Sequence, residues 1–542
     1  MSAGADRPSS HMRAVSVAAG PSVDGSGAAG GSGEAGGSGA AGEPFAVAAI
    51  DLGATSGRVM LGIVTEGRIE LVPTHRFENR LVEHEGHLSW DLDALWAEIR
   101  QGLADAHDLA VVRGLTGLAS IGVDSWAVDY GFVGPEGADG GERIGEVIAY
   151  RDSRTDGVAD RVAERVSRER QFALTGIAQQ PFNTLYQLAA DDRAADLPPG
   201  STLLMVPDLI GHLLTGVRRS ESTNASSTGM LGLDGGWNSE LLDAAQIDRE
   251  LLAPLISPGE RLGTVRPELG RELGTGEVPV VAIGSHDTAS AVLAVPAAPG
   301  TSPVAFISSG TWSLIGLELP AAVATEEARR AGFTNEAGVD GTVRFLKNVS
   351  GMWLVSESIR QWEEDGAQVD LEDLLAAAAQ SPADRFRIDP TDEQFLAPGR
   401  MADRVSTAAR RIDGDDPFPR TQAAVVRCIL ESLAETYREE LHAACRLAQV
   451  PLPERLHVVG GGSRNALLNQ LTADALGVEV VAGPMEATAL GNVALQSRTL
   501  GALSQEPDAI RQLVRASIEL ERFRPSVPSP APDPVTGGHH TF

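Results

Sequence analysis

The chain has 542 residues, a formal net charge of −30, 42% hydrophobic residues and a single lysine, Lys347. It is too long for one core, so two domains are expected. So acidic a surface excludes nucleic acid and anionic membranes as partners, since no basic face is left to displace counterions. It leaves ATP open, because a local arginine and a divalent cation can hold phosphate in an acidic protein.

From the start to about Glu43 the sequence is mostly Gly, Ala and Ser. Such a stretch buries too little apolar surface to offset its ordering entropy, so a disordered tail is expected over 1–44. Val47–Val64, VAAIDLGATSGRVMLGIV, is an apolar run, a small-residue turn and a second apolar run, which predicts a hairpin. Its turn offers backbone N–H groups and hydroxyls free of bulk, a surface suited to phosphate. Asp51 there either caps the turn or holds a hydrated Mg²⁺, with Arg58 near phosphate oxygens.

Leu92–Leu103 reads as a helix and Ser120–Asp124 as a strand. In IGVDSWAVDYG, Asp124 and Asp129 read as turn carboxylates, and Trp90, Trp96 and Trp126 as core or cleft wall. Val280–Ile283 predicts a strand running into Gly284-Ser-His-Asp287-Thr288 and an Ala-rich helix. Asp287 there is either an N-cap or a base for a substrate hydroxyl, with His286 and Thr288 beside it. The metal-ligand spacing of a zinc site is missing around them.

The segment PAAPGTSP at Pro296–Pro303 predicts a linker between two α/β lobes, with the ligand crevice between them. Val304–Leu317, VAFISSGTWSLIGL, repeats the hairpin device of the first half. Lys347 lies in RFLKNVSG with no glycine-rich loop before it, which rules out a Walker A loop and a protein-kinase site. Thr421–Ala448 carries an apolar stripe at helical spacing. One continuous helix would hold its two cysteines, Cys428 and Cys445, roughly 25 Å apart, beyond disulfide reach. Free thiols fit a reducing cytoplasm; no apolar run approaches a membrane span, and no secretion signal opens the chain.

Leu456–Val459 predicts a strand and Asn465–Leu476 a helix, joined by Gly460-Gly461-Gly462. Three glycines exceed what a turn requires and would let a flat ring or phosphate approach the backbone. From about Pro525 the chain is Pro-rich and expected to be loose, His539-His540 included.

In this order the motifs resemble the FGGY carbohydrate kinase family over roughly Ala46 to Gln496. The segments that carry the likeness include YRDSRT at Tyr150–Thr155, QPFNTLYQL at Gln180–Leu188, GSHDTASAV at Gly284–Val292 and SSGTWSL at Ser308–Leu314. LKN at Leu346–Asn348, HVVGGGSRN at His457–Asn465 and GPMEATALGN at Gly483–Asn492 complete it. The resemblance implies an α/β fold of two actin-like (ribonuclease H-like) ATPase lobes about a cleft. It implies a sugar-binding lobe over 45–295, a nucleotide-binding lobe over 296–524 and a loose tail over 525–542. It also implies ATP and Mg²⁺ as cofactors, and phosphorylation of L-rhamnulose on its 1-hydroxyl, with L-fuculose or xylulose as alternative acceptors. A non-metabolic actin-like ATPase, the alternative of another class, lacks a sugar-binding triplet such as the resemblance implies in His286, Asp287 and Thr288.

By the same resemblance Ala54, Thr55, Ser56, Gly57 and Arg58 form the first ATP-phosphate segment. Thr311, Ser356 and Gly461 are further nucleotide contacts, and Asp51 is the metal contact. Ala127, His286, Asp287, Thr288 and Asn348 contact the sugar, with Asp287 as general base. Two positions depart from the pattern: Ala127 stands where similar members carry glycine, and Ser356 where they carry a longer amide side chain.

Overall fold

A computed structural model describes residues 43–135, 137, 141–310, 312–412, 417–506 and 508–526. The glycine-rich segment before residue 43, Thr311 and the end of the chain with His539-His540 lie outside the described residues.

Both predicted hairpins form, and each founds a sheet. In the first half Phe45–Leu52 pairs antiparallel with Ser56–Thr65, which pairs with Arg68–Glu78. On the other side of Phe45–Leu52 lie Leu118–Ser125 and then Pro279–Val281, both parallel, and an antiparallel edge, Arg261–Thr264. The second half repeats this order: Val304–Ser309 pairs antiparallel with Ser313–Leu319 and that with Val343–Val349. Arg455–Val459 and Glu479–Ala482 follow in parallel, with Glu521–Phe523 as the antiparallel edge. The second sheet carries one strand more, Thr334–Ala337, beside Val343–Val349. Two sheets of one plan, each with helical crossovers between its parallel strands, make the two-lobed α/β fold that the sequence implies.

The helix predicted over Leu92–Leu103 runs on to Val112, because Ala106 and Ala110 continue the buried stripe. The long helix is continuous over Gln422–Ala448, capped by the Thr421 side chain, and both its cysteines are buried and free. No helix among the described residues is long and apolar enough to cross a membrane. Lys347 pairs with Glu440 at 2.7 Å.

A shared apolar core joins the sheets. Val47 and Ala49 of the first and Phe306 and Val459 of the second pack with Leu490 and Val493 of the helix Ala487–Thr499. That helix crosses Asp287–Leu293, the corresponding helix of the first half, with Gly491 against the backbone of Ser290. Its polar face enters the first sheet: Gln496 Nε2 donates to the Ala48 carbonyl at 3.0 Å, and Ser120 Oγ donates to Gln496 Oε1 at 2.6 Å. Arg498 also donates to both oxygens of Asp340, in the turn before Val343–Val349.

Candidate active site

The ends of the central strands of the first sheet carry a row of charges. Arg58, Asp51 and Asp124 are register partners across three adjacent strands. Arg58 Nε and Nη2 donate to Asp51 Oδ2 at 2.9 and 2.6 Å, and its Nη1 pairs with Glu486 of the second half. The guanidinium expected at phosphate oxygens is thus an ion-pair bridge between the halves. Asp124 is not a plain turn carboxylate: it is fully buried, its Oδ2 accepts from Asn492 Nδ2 at 2.6 Å, and its Oδ1 has no partner. Burial first, and then the charge of Asp51, push its carboxyl well above the usual aspartate range. The sequence shows only an acid at a strand end; its neighbour at 51 and its donor at 492 come from distant segments.

Each hairpin turn is closed by a glycine N–H, which reaches three residues ahead in the first and two in the second. Gly53 N–H donates to the Ser56 carbonyl at 2.8 Å, and Gly310 N–H to the Trp312 carbonyl at 2.8 Å. Thr55 and Ser56 are exposed at the first turn and Ala54 is half-buried, while Gly57 is a glycine because a Cβ there would overlap the Phe77 ring. Of the three glycines after Arg455–Val459, two answer to packing. Gly460 has φ 84° and a Cβ there would lie 2.8 Å from the Ser309 carbonyl oxygen; a Cβ at Gly462 would lie 2.6 Å from that of Ser309. Only Gly461 opens onto free space. Asn465 Nδ2 lies 3.7 Å from Met352 Sδ, and the exposed Ser356 is one helical turn beyond Met352. The segments that carry the expected nucleotide positions 461 and 356 thus meet through Asn465 and Met352.

The acid of the triplet opens its helix, Asp287–Leu293, with its side chain 35% exposed. Thr288 Oγ1 donates to Asp287 Oδ1 at 3.0 Å, and His286 Nε2 stands 3.5 Å from the same oxygen. Burial raises the Asp287 carboxyl, the neighbouring His286 opposes the rise, and Asp51 adds to it. The triplet is anchored from below: Ser285 N–H and Oγ donate to the buried Glu221 Oε2 at 3.0 and 2.7 Å, and Ser125 N–H donates to the Ser285 carbonyl. From the second sheet, Glu336 lies 3.3 Å and Arg344 3.1 Å from His286 Nδ1. Burial works against the charge of Glu336, but Arg344 above all holds its carboxyl below the ordinary range. Asn348, exposed, lies on the same face of its strand as Arg344, two alternations further on.

Ala127 sits in a strained loop. Val128 has φ 71°, a left-handed conformation that costs a β-branched residue of order 1–3 kcal/mol. Its carbonyl is fixed by Thr184 Oγ1 at 2.7 Å and Gln187 Nε2 at 3.1 Å. Next to it Asp129, also more than a turn carboxylate, accepts from Trp90 and Trp126 Nε1 at 2.7 and 2.9 Å. Burial lifts Asp129 to about 6 against those bonds. The over-determined loop holds Ala127 at one height beside the triplet, the pattern expected where a ligand must meet a fixed surface. Among the described residues no group of three or more His, Cys, Asp or Glu is placed to hold a metal.

Known proteins resemble this chain over most of its length. Residues 46–294 match the N-terminal domain of the FGGY family of carbohydrate kinases, and residues 305–500 its C-terminal domain. The rhamnulokinase of Bacteroides thetaiotaomicron is 40% identical over 480 residues, 88% of this chain and 95% of its own. That of Bacillus subtilis is 38% identical over 479 residues, 88% of this chain and 95% of its own. Among solved structures, ligand-bound xylulose kinase from Lactobacillus acidophilus superposes with a TM-score of 0.70 at 17% identity, covering 89% of this chain and 94% of its own.

Proposed function

The chain belongs to the FGGY family of carbohydrate kinases, and from that premise we propose that it transfers the γ-phosphoryl group of ATP to the 1-hydroxyl of L-rhamnulose. The observation that carries the reading is the half-open Asp287 carboxylate, set between Thr288 and His286 and within the field of Asp51 on the phosphate hairpin.

Asp287 accepts the proton of the attacking hydroxyl. Its carboxyl is raised above the ordinary aspartate range, the direction that makes a carboxylate a better proton acceptor, and Thr288 holds one of its oxygens. His286, Thr288 and Asn348 hold the ketose, with Ala127 at its edge. The turns around Ala54–Arg58 and Thr311 take the phosphates, and Gly461 and Ser356 take the nucleoside. Because phosphoryl transfer passes through a loose transition state, alignment and charge neutralisation supply most of the acceleration.

A divalent ion would be held from Asp51 rather than by a cage of protein ligands, which the described residues do not form. Three carboxylates, Asp51, Asp124 and Asp287, repel one another there, and Asp124 Oδ1 is buried without a donor. Hard oxygen ligands few in number suit Mg²⁺, which keeps water and substrate phosphates in its shell, and Asp51 would hold it. When bound, it neutralises charge on the transferring group.

We set the lobe boundary at 295/296, since every strand of the first sheet precedes it and every strand of the second follows. The two free buried thiols suit a reducing cytoplasm, where we locate the protein.

A coupled ADP-release assay with L-rhamnulose, L-fuculose, D-xylulose and glycerol tests the substrate. L-rhamnulose should show the highest kcat/KM, by about tenfold or more over sugars that misplace one hydroxyl. Preference for xylulose or glycerol would overturn the assignment, and ATP hydrolysis indifferent to sugar would overturn the kinase reading.

A further inference from the structure

The strand by which the second sheet exceeds the first brings a buried ion pair onto the histidine of the triplet. Arg344 is fully buried, and its Nη1 lies 3.0 Å from Glu336 Oε2. Its Nε and Nη2 donate to the Ala337 carbonyl at 3.2 and 3.0 Å, which fixes the plane of the guanidinium. The same Nη2 lies 3.1 Å from His286 Nδ1. A guanidinium has donors and no acceptor, so a ring nitrogen facing it must offer a lone pair. A proton on Nδ1 would set two N–H groups head to head.

Glu336 competes for Nδ1 at 3.3 Å and would favour a proton there. Its charge, however, is already met by Arg344 at the shorter distance of 3.0 Å, and a carboxylate can turn its lone pairs where the pinned guanidinium cannot turn its N–H. The remaining group facing the ring is Asp287, 3.5 Å from Nε2, while the Thr223 hydroxyl accepts the His286 backbone N–H at 3.3 Å. Glu221 acts on Arg344 only at longer range.

We infer that Arg344, oriented by Glu336, is a positioning residue that holds His286 as the neutral Nε2–H tautomer. His286 then presents a donor, never an acceptor, to Asp287 and the sugar. Asp287 is left as the one acceptor for the proton of the attacking hydroxyl. The inference rests on the reading of His286 as a sugar contact. It also gives the second lobe a hand in the sugar site of the first, because Glu336 and Arg344 belong to the second sheet.

The tautomer is read directly by nitrogen-15 NMR of the full chain labelled at histidine, at pH 8, with His286 assigned by its loss in His286→Gln. The expected spectrum shows an unprotonated Nδ1 and a protonated Nε2. A protonated Nδ1, alone or in an imidazolium, would overturn the inference. Replacing both charges together, Arg344→Met with Glu336→Met, avoids stranding a buried ion. In that variant the two tautomers should exchange, and the ketose KM should rise about tenfold while the ATP KM stays within about twofold, as expected for one lost substrate-orienting hydrogen bond. An unchanged His286 signal together with an unchanged ketose KM would also overturn it. The wild-type spectrum decides the matter even where the double variant fails to fold. It needs no substrate, so a failure of the L-rhamnulose assignment would register in the sugar panel and not here.

Discussion

Asp287→Asn should lower kcat by about 10²–10⁴-fold and leave the KM for the ketose within a few-fold of wild type. Asparagine keeps the volume and an oxygen for the Thr288 hydroxyl, which donates to Asp287 Oδ1 at 3.0 Å. It cannot take a proton. Since the loss is confined to the step in which the hydroxyl is deprotonated, binding and turnover separate. The pH profile carries a second sign. Burial and the charge of Asp51 raise the Asp287 carboxyl, against the opposing His286, so activity should fall away as pH drops through a value above the ordinary aspartate range. That limb should be missing from the residual activity of the variant. Steady-state ADP release at varied ketose and pH measures both, and near-normal turnover would remove Asp287 from the role of base.

The second large effect concerns a residue that touches no substrate. A Cβ at Gly491 would overlap the Ser290 carbonyl oxygen and lie 2.7 Å from its carbon. The obstacle is helix backbone, so no rotamer change relieves it. Ser290 belongs to the helix that opens on Asp287, and the residue after Gly491, Asn492, holds Asp124. Gly491→Val should therefore cost about 3 kcal/mol or more of stability by overpacking. It should also cost about 10²-fold in kcat, the scale expected when reacting groups move by an ångström. Gly461→Ala is the control, since a Cβ there meets nothing within 4 Å and the melting temperature should not change. Thermal melts paired with turnover decide the matter. Wild-type stability and rate in Gly491→Val would mean that the crossing does not position the acid.

Local pattern and distant partnership divide what the chain reveals from what it hides. Both hairpins, the Gln422–Ala448 helix and the strand–turn–helix at 455–476 were legible because each is a short-range pattern of apolar spacing and turn chemistry. The motif around Asp287 was legible for the same reason. The partners of those residues were not. Arg344 stands 58 positions from His286, and Asn492 stands 368 from Asp124. Neither pair carries a spacing signal, since the fold alone brings them together. The triple glycine shows the converse: it read as an approach for a ligand, yet two of its three members serve packing against Ser309. For Arg58 the sequence suggests a phosphate contact but gives no sign that its guanidinium also joins Asp51 to Glu486.

The central claim is spatial, and a structure with L-rhamnulose and a non-hydrolysable ATP analogue bound tests it most directly. The account predicts the 1-hydroxyl within about 2.6–3.2 Å of the Asp287 carboxylate, in line with a γ-phosphorus held between the 53–58 and 309–313 turns. A ketose that turns a different hydroxyl to Asp287, or a triphosphate that lies outside either turn, would contradict it.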